Sequence, residues 1–391
     1  MKEYCPNGVE YVKIGDICTI TKGKTPIQKA IPGEYPLVVT TSERKSSNTY
    51  QFNRSAVCIP LVSSRGHGVA SLNHVYFQSG KFALGNILCA VIPNDESILS
   101  ANFLYHYLEY KKDTLLVPLM KGGANVSLHI DDIQRVKIPL PPIEVQNRTI
   151  EILDKFVELS EALTKELSAR QSQYKYYRDL LLDFGVHGGA TSDCEWRTLG
   201  EIFDVRNGYT PSKANAEYWK NGTVPWFRMD DIRENGRILS SAMQTVTMQA
   251  VKNKPFPANS IIISTSATIG EHALITVDFM SNQRFTCLSL KKEYKDKFDM
   301  MFVFYYCFVL SKYCLENLNQ SSFASVDMTK FYSFSFPVIP IEEQERIVSI
   351  LDRFDKLCND ISEGLPAEIE ARRKQYEFYR DKLLSFEEVR V

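Results

Sequence analysis

The sequence predicts an α/β (α+β) protein: two globular domains of mixed, partly antiparallel sheet, separated by two long helices that pair as an antiparallel coiled coil. The first observation is that IPLPPIEVQNRTIEILDKF (138–156) returns as FPVIPIEEQERIVSILDRF (336–354). The second is that ARQSQYKYYRDLLLDF (169–184) returns as ARRKQYEFYRDKLLSF (371–386). An internal repeat of this length predicts two equivalent units, and therefore an internal pseudo-twofold symmetry.

The repeat divides the chain into four segments, a domain and a helical segment followed by a second such pair. Residues 1–142 and 186–340 are predicted to be globular, and residues 143–185 and 341–391 to be helical. Length supports this division, because 391 residues exceed what one typical hydrophobic core holds. The apolar fraction of 44% is enough to fill two such cores.

The predicted sheets follow from short apolar runs inside the globular segments. AVCIPLVSS (56–64), SIIISTSAT (260–268) and RFTCLSL (284–290) are rich in strand-forming residues, and Gly, Asn and Pro separate such runs. Each globular segment then ends with an aromatic helical stretch, NFLYHYLEY (102–110) in the first and MFVFYYCFVL (301–310) in the second. This alternation predicts a sheet-rich domain with a helix packed on it.

The helical segments carry apolar residues at alternating spacings of three and four, which is typical of a coiled-coil seam. The seam residues are Leu153, Phe156, Val157, Leu163, Leu167, Tyr174, Tyr177 and Leu181 in the first segment, and Leu351, Phe354, Cys358, Ile361, Leu365, Ile369, Tyr376, Tyr379 and Leu383 in the second. We expect the two seams to pair with each other, although each could instead pack on its own globular domain. Four extra residues near 364–366 predict a longer or kinked second arm.

Composition indicates the cellular compartment and the classes of partner to expect. The longest apolar run, 300–310, is too short to span a bilayer, and the N-terminus shows no signal-peptide pattern, so we expect a cytoplasmic protein. Net charge is −1, yet the two globular segments together carry +5 and the two helical segments −6. This distribution of charge is compatible with nucleic-acid binding by the globular segments. Solvated helices rich in Glu produce the same distribution.

No catalytic, metal or cofactor signature is complete. The nine cysteines are scattered without a C-x-x-C pair, and the six histidines lack metal spacing. The segment GKT (23–25) resembles the end of a phosphate-binding loop, but Cys18 stands where its first glycine would be. We therefore expect a binding protein without catalysis, metal or cofactor of its own.

Polar and basic side chains crowd the divergent loops of both globular segments. Arg, Asn and Gln can contact base edges, whereas Lys and Ser mostly fix phosphates, and a solvated loop has a similar composition. The candidate nucleic-acid contacts are Arg44, Lys45, Asn48, Ser64, Arg65 and His67 in the first domain, and Arg228, Arg233, Arg237, Ser266, Gln283 and Arg284 in the second.

In these motifs the chain resembles the specificity (S) subunits of type I restriction–modification systems. The resemblance covers essentially the whole length and is carried by the paired openings 10–26 and 195–211, by YTPSKANAEYWKNGTVPWF (209–227) and by EGLPAEIEARRKQYEFYRDKLLSF (363–386). The first half departs from the pattern, since it lacks the GLPAEI segment and the tryptophans found at 219 and 226. The resemblance implies two target-recognition domains, 1–142 and 186–340, and two helical spacers.

The same resemblance implies a function and a set of partners. A specificity subunit reads double-stranded DNA without catalysis, each domain recognising one half of an asymmetric split target, while the helices set the unread gap. Two modification (methyltransferase) subunits dock on it and use S-adenosylmethionine, and two restriction subunits that use ATP and Mg can join. We expect the docking residues among the repeated positions Gln146, Arg148, Tyr177, Arg178, Gln344, Arg346, Tyr379 and Arg380. The alternatives are a free-standing methyltransferase or nuclease and a protein-only scaffold.

Overall fold

The computed structural model describes residues 5, 7–41, 45–65, 68–185, 194–319, 324–360 and 362–389. The chain forms two compact units, which differ from the four predicted segments in how they share the helices. The first unit comprises Met1–Lys165 together with Ala367–Val391, and the second comprises Glu166–Pro366. Each unit therefore takes a globular domain and parts of both helical segments.

The helices, numbered in chain order, include both very short and very long elements. They are α1 Ile14–Ile17, α2 Ala101–Leu115, α3 Ile130–Gln134, α4 Ile143–Leu181, α5 Leu199–Ile202, α6 Met229–Asn235, α7 Met300–Glu316, α8 Met328–Ser333, α9 Ile341–Asn359 and α10 Leu365–Leu383. Single turns of 3-10 helix occur at Ile27–Lys29, Val117–Leu119, Ala216–Tyr218, Met248–Ala250 and Lys292–Tyr294.

The strands are short throughout. In the first unit they are β1 Glu10–Lys13, β2 Cys18–Lys22, β3 Tyr35–Val38, β4 Lys45–Ser47, β5 Phe52–Asn53, β6 Ala56–Pro60, β7 Tyr76–Gln78, β8 Lys81–Leu84, β9 Leu88–Pro93 and β10 Lys137–Leu140. In the second unit they are β11 Glu195–Thr198, β12 Phe203–Asn207, β13 Val224–Phe227, β14 Ile238–Leu239, β15 Thr245–Val246, β16 Ser260–Ser264, β17 His272–Ile275, β18 Met280–Ser281, β19 Phe285–Leu290 and β20 Ser335–Val338.

The two units build their sheets in the same way. The first unit has the antiparallel order β2-β9-β6-β7, the order β4-β3-β8-β5 and the pair β1-β10. The second has β12-β19-β16-β17-β14, β15-β13-β18 and the pair β11-β20. Strand β3 runs parallel to β8 as β13 runs parallel to β18, and the other pairings of these four strands are antiparallel. The predicted mixed, partly antiparallel sheet is confirmed in both units.

The aromatic helices α2 and α7 fill the cores as the sequence predicts. In the first unit, Phe103 and Leu104 of α2 are fully buried and join the core formed by Val57 and Val91 of the central strands. In the second unit, Phe302 and Tyr306 of α7 are buried in the core that contains Leu288 of β19. The serine and aspartate before these helices, Ser100 and Asp299, cap their first turns with side-chain oxygens.

Helix α4 is continuous over 39 residues, whereas the second helical segment is broken into α9 and α10. The second arm is therefore two helices, and the break falls at the insertion where the sequence predicted a longer or kinked arm. A Cβ at Gly364 would lie 2.5 Å from the carbonyl oxygen of Lys356, so this close turn requires glycine. Pro366 then occupies the second position of α10, where its missing N–H costs no helical hydrogen bond.

The predicted packing of helix against helix is present within each unit. In the second unit, Tyr177 of α4 stacks on Phe354 of α9 at 5.7 Å, and Arg170 lies near enough to Cys358 to oppose the rise in its pKa that burial causes. Moving back along α4 therefore moves forward along α9, and the pair is antiparallel. In the first unit, Phe156 of α4 stacks on Tyr379 of α10 at 5.4 Å.

Candidate nucleic-acid interface

Lys45 and Asn48 lie at one edge of the first unit's smaller sheet. Lys45 begins β4 opposite Leu37, and Asn48 follows the strand with its backbone N–H donating to the carbonyl of Ile31 at 2.9 Å. Both side chains are exposed. Their neighbour Arg44 lies outside the described residues.

The loop after β6 presents Ser64 and Arg65 on a fixed backbone. The N–H of Ser64 donates to the carbonyl of Ser71 at 2.8 Å, and its hydroxyl accepts from the N–H of Asn73 at 2.9 Å. The backbone N–H of Arg65 donates to the hydroxyl of Ser63 at 3.2 Å, and Arg65 is exposed. His67, from the same loop, lies outside the described residues.

In the second unit the structure brings three candidate segments to one edge. The N–H of Asn282 donates to the carbonyl of Phe227 at 3.1 Å, which places the turn holding Gln283 and Arg284 beside Arg228. The carbonyl of Arg284 accepts from the N–H of Thr265 at 3.1 Å, which adds the loop holding Ser266. Arg228, Ser266, Gln283 and Arg284 therefore form a cluster, called here the second-unit edge.

Backbone geometry at this edge is partly strained. Ala267, next to Ser266, has a φ of 65°, a left-handed conformation that costs free energy for a residue with a Cβ. The loop is held by hydrogen bonds, since the Ser264 hydroxyl donates to the carbonyl of Ser266 at 2.8 Å. The Thr210 hydroxyl donates to the side-chain oxygen of Gln283 at 2.5 Å, which orients that amide.

Within the described residues, no side-chain hydrogen bond or ion pair joins Arg233 or Arg237 to the second-unit edge. Arg233 is exposed on α6. The guanidinium of Arg237 instead pairs with Glu271 at 2.5 Å, donates to the carbonyl of His272 at 3.2 Å and lies 5.5 Å from the ring of Phe308. Its contacts are those of a residue that ties β17 to α7.

The hydrogen-bond pattern also reveals a residue that the sequence reasoning missed. In the second unit Gly208 donates its N–H to Phe285, which donates in turn to Asn282. In the first unit Gly23 donates to Leu88, which donates to Gly85. Asn86 therefore occupies the position of Gln283, and it is exposed. Aligning the apolar runs of β9 and β19 could have found this pair of amides.

Of the proposed partner-binding positions, the two glutamines must be corrected. Gln146 and Gln344 have no exposed area. Gln344 accepts from the N–H of Asp299 at 2.9 Å and donates to the carbonyls of Lys297 and Ile339 at 2.8 and 2.9 Å. Gln146 makes the same three bonds, with Ser100, Ile98 and Pro141, at 2.9, 2.8 and 2.8 Å. They fasten the start of each helical segment to its globular domain, so neither can contact a second protein.

Arg148 and Arg346 are exposed and paired with acids on their own helices. Arg346 binds Glu343 with two bonds of 2.6 and 2.7 Å, and this partner lowers the pKa of the Glu343 carboxyl. Arg148 binds Glu151 at 2.6 Å, although Lys155 contributes more to the lowered pKa of Glu151. Exposed pairs of this kind stabilise the fold little and remain open to a partner.

The remaining partner candidates form two matching exposed patches. Tyr177 and Tyr379 are each 39% exposed, and each follows a more exposed ring, Tyr176 at 64% and Phe378 at 54%. Ring centroids lie 5.4 Å apart in the first pair and 5.5 Å in the second, both edge to face. We call Tyr176–Tyr177 and Phe378–Tyr379 the aromatic pairs.

Each aromatic pair is followed by an arginine held in the same manner. Arg178 bonds to Asp179 at 2.7 Å and lies over the ring of Phe308 at 4.3 Å. Arg380 bonds to Asp381 at 2.8 Å and lies over the ring of Tyr110 at 4.8 Å. The two units thus present equivalent apolar surface beside an anchored cation.

The part of the chain that the structure describes contains neither a metal-binding cluster nor a membrane-spanning helix. No group of three or more His, Cys, Asp or Glu side chains in those residues is arranged to hold a metal ion. Burial raises the pKa of Cys18, Cys89 and Cys287 to about 12, which keeps these thiols protonated and unreactive. None of the described helices is long and apolar enough to cross a membrane.

Comparison with known proteins finds one family whose model matches most of the chain. The family described as type I restriction modification DNA specificity domain matches residues 6–170 and 191–371. The EcoprrI specificity subunit of Escherichia coli is 55% identical over 207 residues, which cover 51% of this chain and 52% of that protein. The EcoR124I/EcoR124II specificity subunit of Escherichia coli is 38% identical over 311 residues, covering 72% of this chain and 71% of that one. The chain thus matches about half the length of the first relative and more of the second.

Solved structures show the same fold at low sequence identity. The S subunit of a type I restriction-modification system from M. genitalium has a TM-score of 0.57 at 16% identity, covering 96% of both chains. The HsdS subunit from Thermoanaerobacter tengcongensis has a TM-score of 0.55 at 17% identity, covering 98% of this chain and 99% of that one.

Proposed function

Because the chain belongs to the family of type I restriction modification DNA specificity domains, we propose that it is the sequence-reading subunit of a type I restriction–modification complex. It binds double-stranded DNA in the cytoplasm and has no catalytic activity of its own. Each globular domain reads one half of an asymmetric bipartite target, and the helical segments set the unread gap between the halves.

One observation carries this proposal. The two domains share a fold but present different polar side chains on corresponding loops. Asn86 and Gln283 occupy the same turn by the same backbone hydrogen bonds, and both present an amide. The first domain also presents Arg65 and Lys45 as exposed side chains, while the second places Arg228 and Arg284 beside Gln283. Amide and guanidinium groups can read base edges with two hydrogen bonds each, so different sets on one scaffold favour two different half-sites.

The repeated helical surface supports two equivalent protein partners. The two aromatic pairs and their anchored arginines, Arg178 and Arg380, recur on both units with nearly the same exposure and geometry. Exposed aromatic residues beside arginine are enriched at protein interfaces. We assign these patches to two modification subunits, which use S-adenosylmethionine. Restriction subunits using ATP and Mg join the same complex.

The proposal is tested by assembling the full chain with its modification subunits and selecting from a pool of random duplex DNA. One split motif should be enriched, and leaving the chain out should abolish the enrichment. A protein-only scaffold would enrich no motif although the complex assembles. A free-standing methyltransferase would methylate DNA with S-adenosylmethionine and no other subunit. Either result would overturn the proposal.

A further inference from the structure

A cavity in the second unit shares Arg228 with the second-unit edge and is otherwise lined by residues outside that edge. It has a volume of about 550 Å³ and opens beside the 3-10 turn Ala216–Tyr218 and the end of β13. Its lining residues are Lys213, Ala216, Trp219, Lys220, Arg228 and Gln244. Three of the six are cations, one is a large aromatic ring, and none is an acid.

The positive charge of this cavity is almost uncompensated. Within the residues that the structure describes, neither Lys213 nor Lys220 forms an ion pair, and Arg228 approaches only Asp230, at 3.6 Å. The Nε of Arg228 is buried and has no hydrogen-bond partner in the described part of the chain. A buried donor without an acceptor is costly, so an anionic ligand that accepts from Arg228 would stabilise this site.

The wall of the cavity is rigid. The indole N–H of Trp219 donates to the carbonyl of Ser212 at 3.1 Å, and that of Trp226 donates to the carbonyl of Tyr209 at 3.1 Å. The two rings meet edge to face with centroids 4.9 Å apart. The tryptophans thereby pin the loop that carries Lys213 to the strand that precedes Arg228.

Among the described residues of the first unit, an apolar side chain stands where Arg228 lines this cavity. Gly33 and Gly222 are equivalent, since a Cβ on either would lie 2.4 Å from the backbone of the antiparallel neighbour, Asn48 or Val246. Counting from these glycines, Leu37 stands for Trp226 and Val39 for Arg228. Val39 is only 4% exposed, so an apolar core residue replaces the cation. Of these two equivalent positions, only the one in the second domain carries a cation.

We infer that this cavity binds a backbone phosphodiester of the DNA that flanks the second half-site, with the sugar against Trp219. The inference rests on the proposed DNA-reading function. Arg228 links the two places, because it lines the cavity and also adjoins the second-unit edge through the hydrogen bond from Asn282 to Phe227. A phosphate held here would fix the register in which Gln283 and Arg284 meet the base edges, as phosphate contacts do in general.

The test uses the full chain assembled with its modification subunits and measures DNA affinity against salt concentration. Each lost phosphate contact lowers the slope of log K against log salt by about 0.9. The double variant Lys213→Gln/Lys220→Gln should have this effect, since it removes one phosphate contact, each single variant should have part of it, and the recognised motif should stay the same. The matched control is Lys312→Gln, an exposed lysine on α7 that also lacks an ion pair among the described residues, and its slope should equal that of the unsubstituted complex.

A second arm identifies the ligand as DNA. A single uncharged methylphosphonate, moved along the backbone beside the second half-site, should weaken the unsubstituted complex at one position and leave the double variant unaffected there. Unchanged slopes in both lysine variants, or an altered base preference in the second half-site, would overturn the inference. If the unsubstituted complex shows no motif-dependent binding, the proposed function itself fails, and that outcome is distinct from unchanged slopes.

Discussion

The hydroxyl of Tyr11 donates a 3.1 Å hydrogen bond to the carbonyl of Phe386, a residue 375 positions further along the chain. Around this bond the chain end runs beside the chain start: Val9 donates its N–H to Glu387 at 2.8 Å and accepts from Val389 at 3.1 Å. The ring of Phe386 packs edge to face on Phe103, with centroids 5.9 Å apart. Leu384 and Phe386 therefore complete the core of the first domain.

The first prediction is that Leu384→Ala destabilises the first unit alone. Leu384 is 1% exposed within the core of that unit, and a buried leucine truncated to alanine costs about 2–5 kcal/mol. Hydrogen exchange should show faster opening in α2 and no change in α7. Ser385→Ala, at an exposed neighbour, is the control. Equal loosening of both units would contradict the assignment of the chain end to the first domain.

The second prediction concerns the buried glutamines. Gln146→Ala should destabilise the first unit and Gln344→Ala the second, each on the order of 3 kcal/mol, because three backbone groups lose their buried partner. Asn147→Ala and Glu345→Ala, at exposed adjacent positions, should have little effect. Hydrogen exchange, followed separately in each unit, measures these losses of stability. A loss of modification-subunit binding without any loss of stability would restore these residues to the docking surface.

The third prediction is a pH dependence of the second unit. His272 has no exposed area, and burial, with help from Arg237, lowers its pKa from 6.5 to about 3. The unfolded chain takes up a proton near pH 6.5 and the folded chain does not, so stability is full above that pH and falls as the pH drops from 6.5 towards 3. The slope should be about 1 kcal/mol per pH unit.

Substitution separates this histidine from other titrating groups. His272→Asn should remove that part of the slope, although it costs some stability at every pH. The comparison residue in the first unit is His106, whose pKa is also lowered by burial but is partly restored by Asp154 at 3.0 Å. His106→Asn should therefore flatten the curve of its own unit less. An unchanged slope after His272→Asn would show that this histidine titrates normally.

The fourth prediction concerns the aromatic pairs. Tyr176→Ser or Phe378→Ser should weaken the binding of one modification subunit about 30-fold and leave the other in place, because a central aromatic contact contributes about 2 kcal/mol. Native mass spectrometry should then find one bound copy where the unsubstituted chain binds two, and none for the double variant. Lys175→Ser and Lys374→Ser, at exposed positions nearby, are the controls. Full occupancy in the double variant would place the docking surface elsewhere.

Local patterns in the sequence predicted the repeated parts of this fold well. The runs at 56–64, 260–268 and 284–290 contain β6, β16 and β19, and the aromatic stretches became α2 and α7. The seam residues Leu153 and Leu351 are fully buried. These features depend on the spacing of residues along the chain. Because the sequence is repeated, each pattern occurs twice.

What the sequence did not reveal depends on contacts between distant residues. Gln344 looks like a surface residue at the start of a helix until Asp299 and Lys297 are seen to meet its amide. The cavity beside Trp219 needs Arg228, which follows β13, and Gln244, which precedes β15, and the core of the first domain needs Leu384, which is far away in the sequence. The residue types alone could not place Arg237 against Phe308 and apart from the second-unit edge.

The central claim is that two unlike domains of one chain read the two halves of one DNA target. The most direct measurement maps methylated adenines across the host genome with this gene present, deleted, and with residues 1–142 exchanged for those of another family member. Deletion should erase methylation at one split motif, and the exchange should alter one half of that motif while keeping the other. Methylation that survives deletion, or an exchange that changes both halves together, would contradict the account.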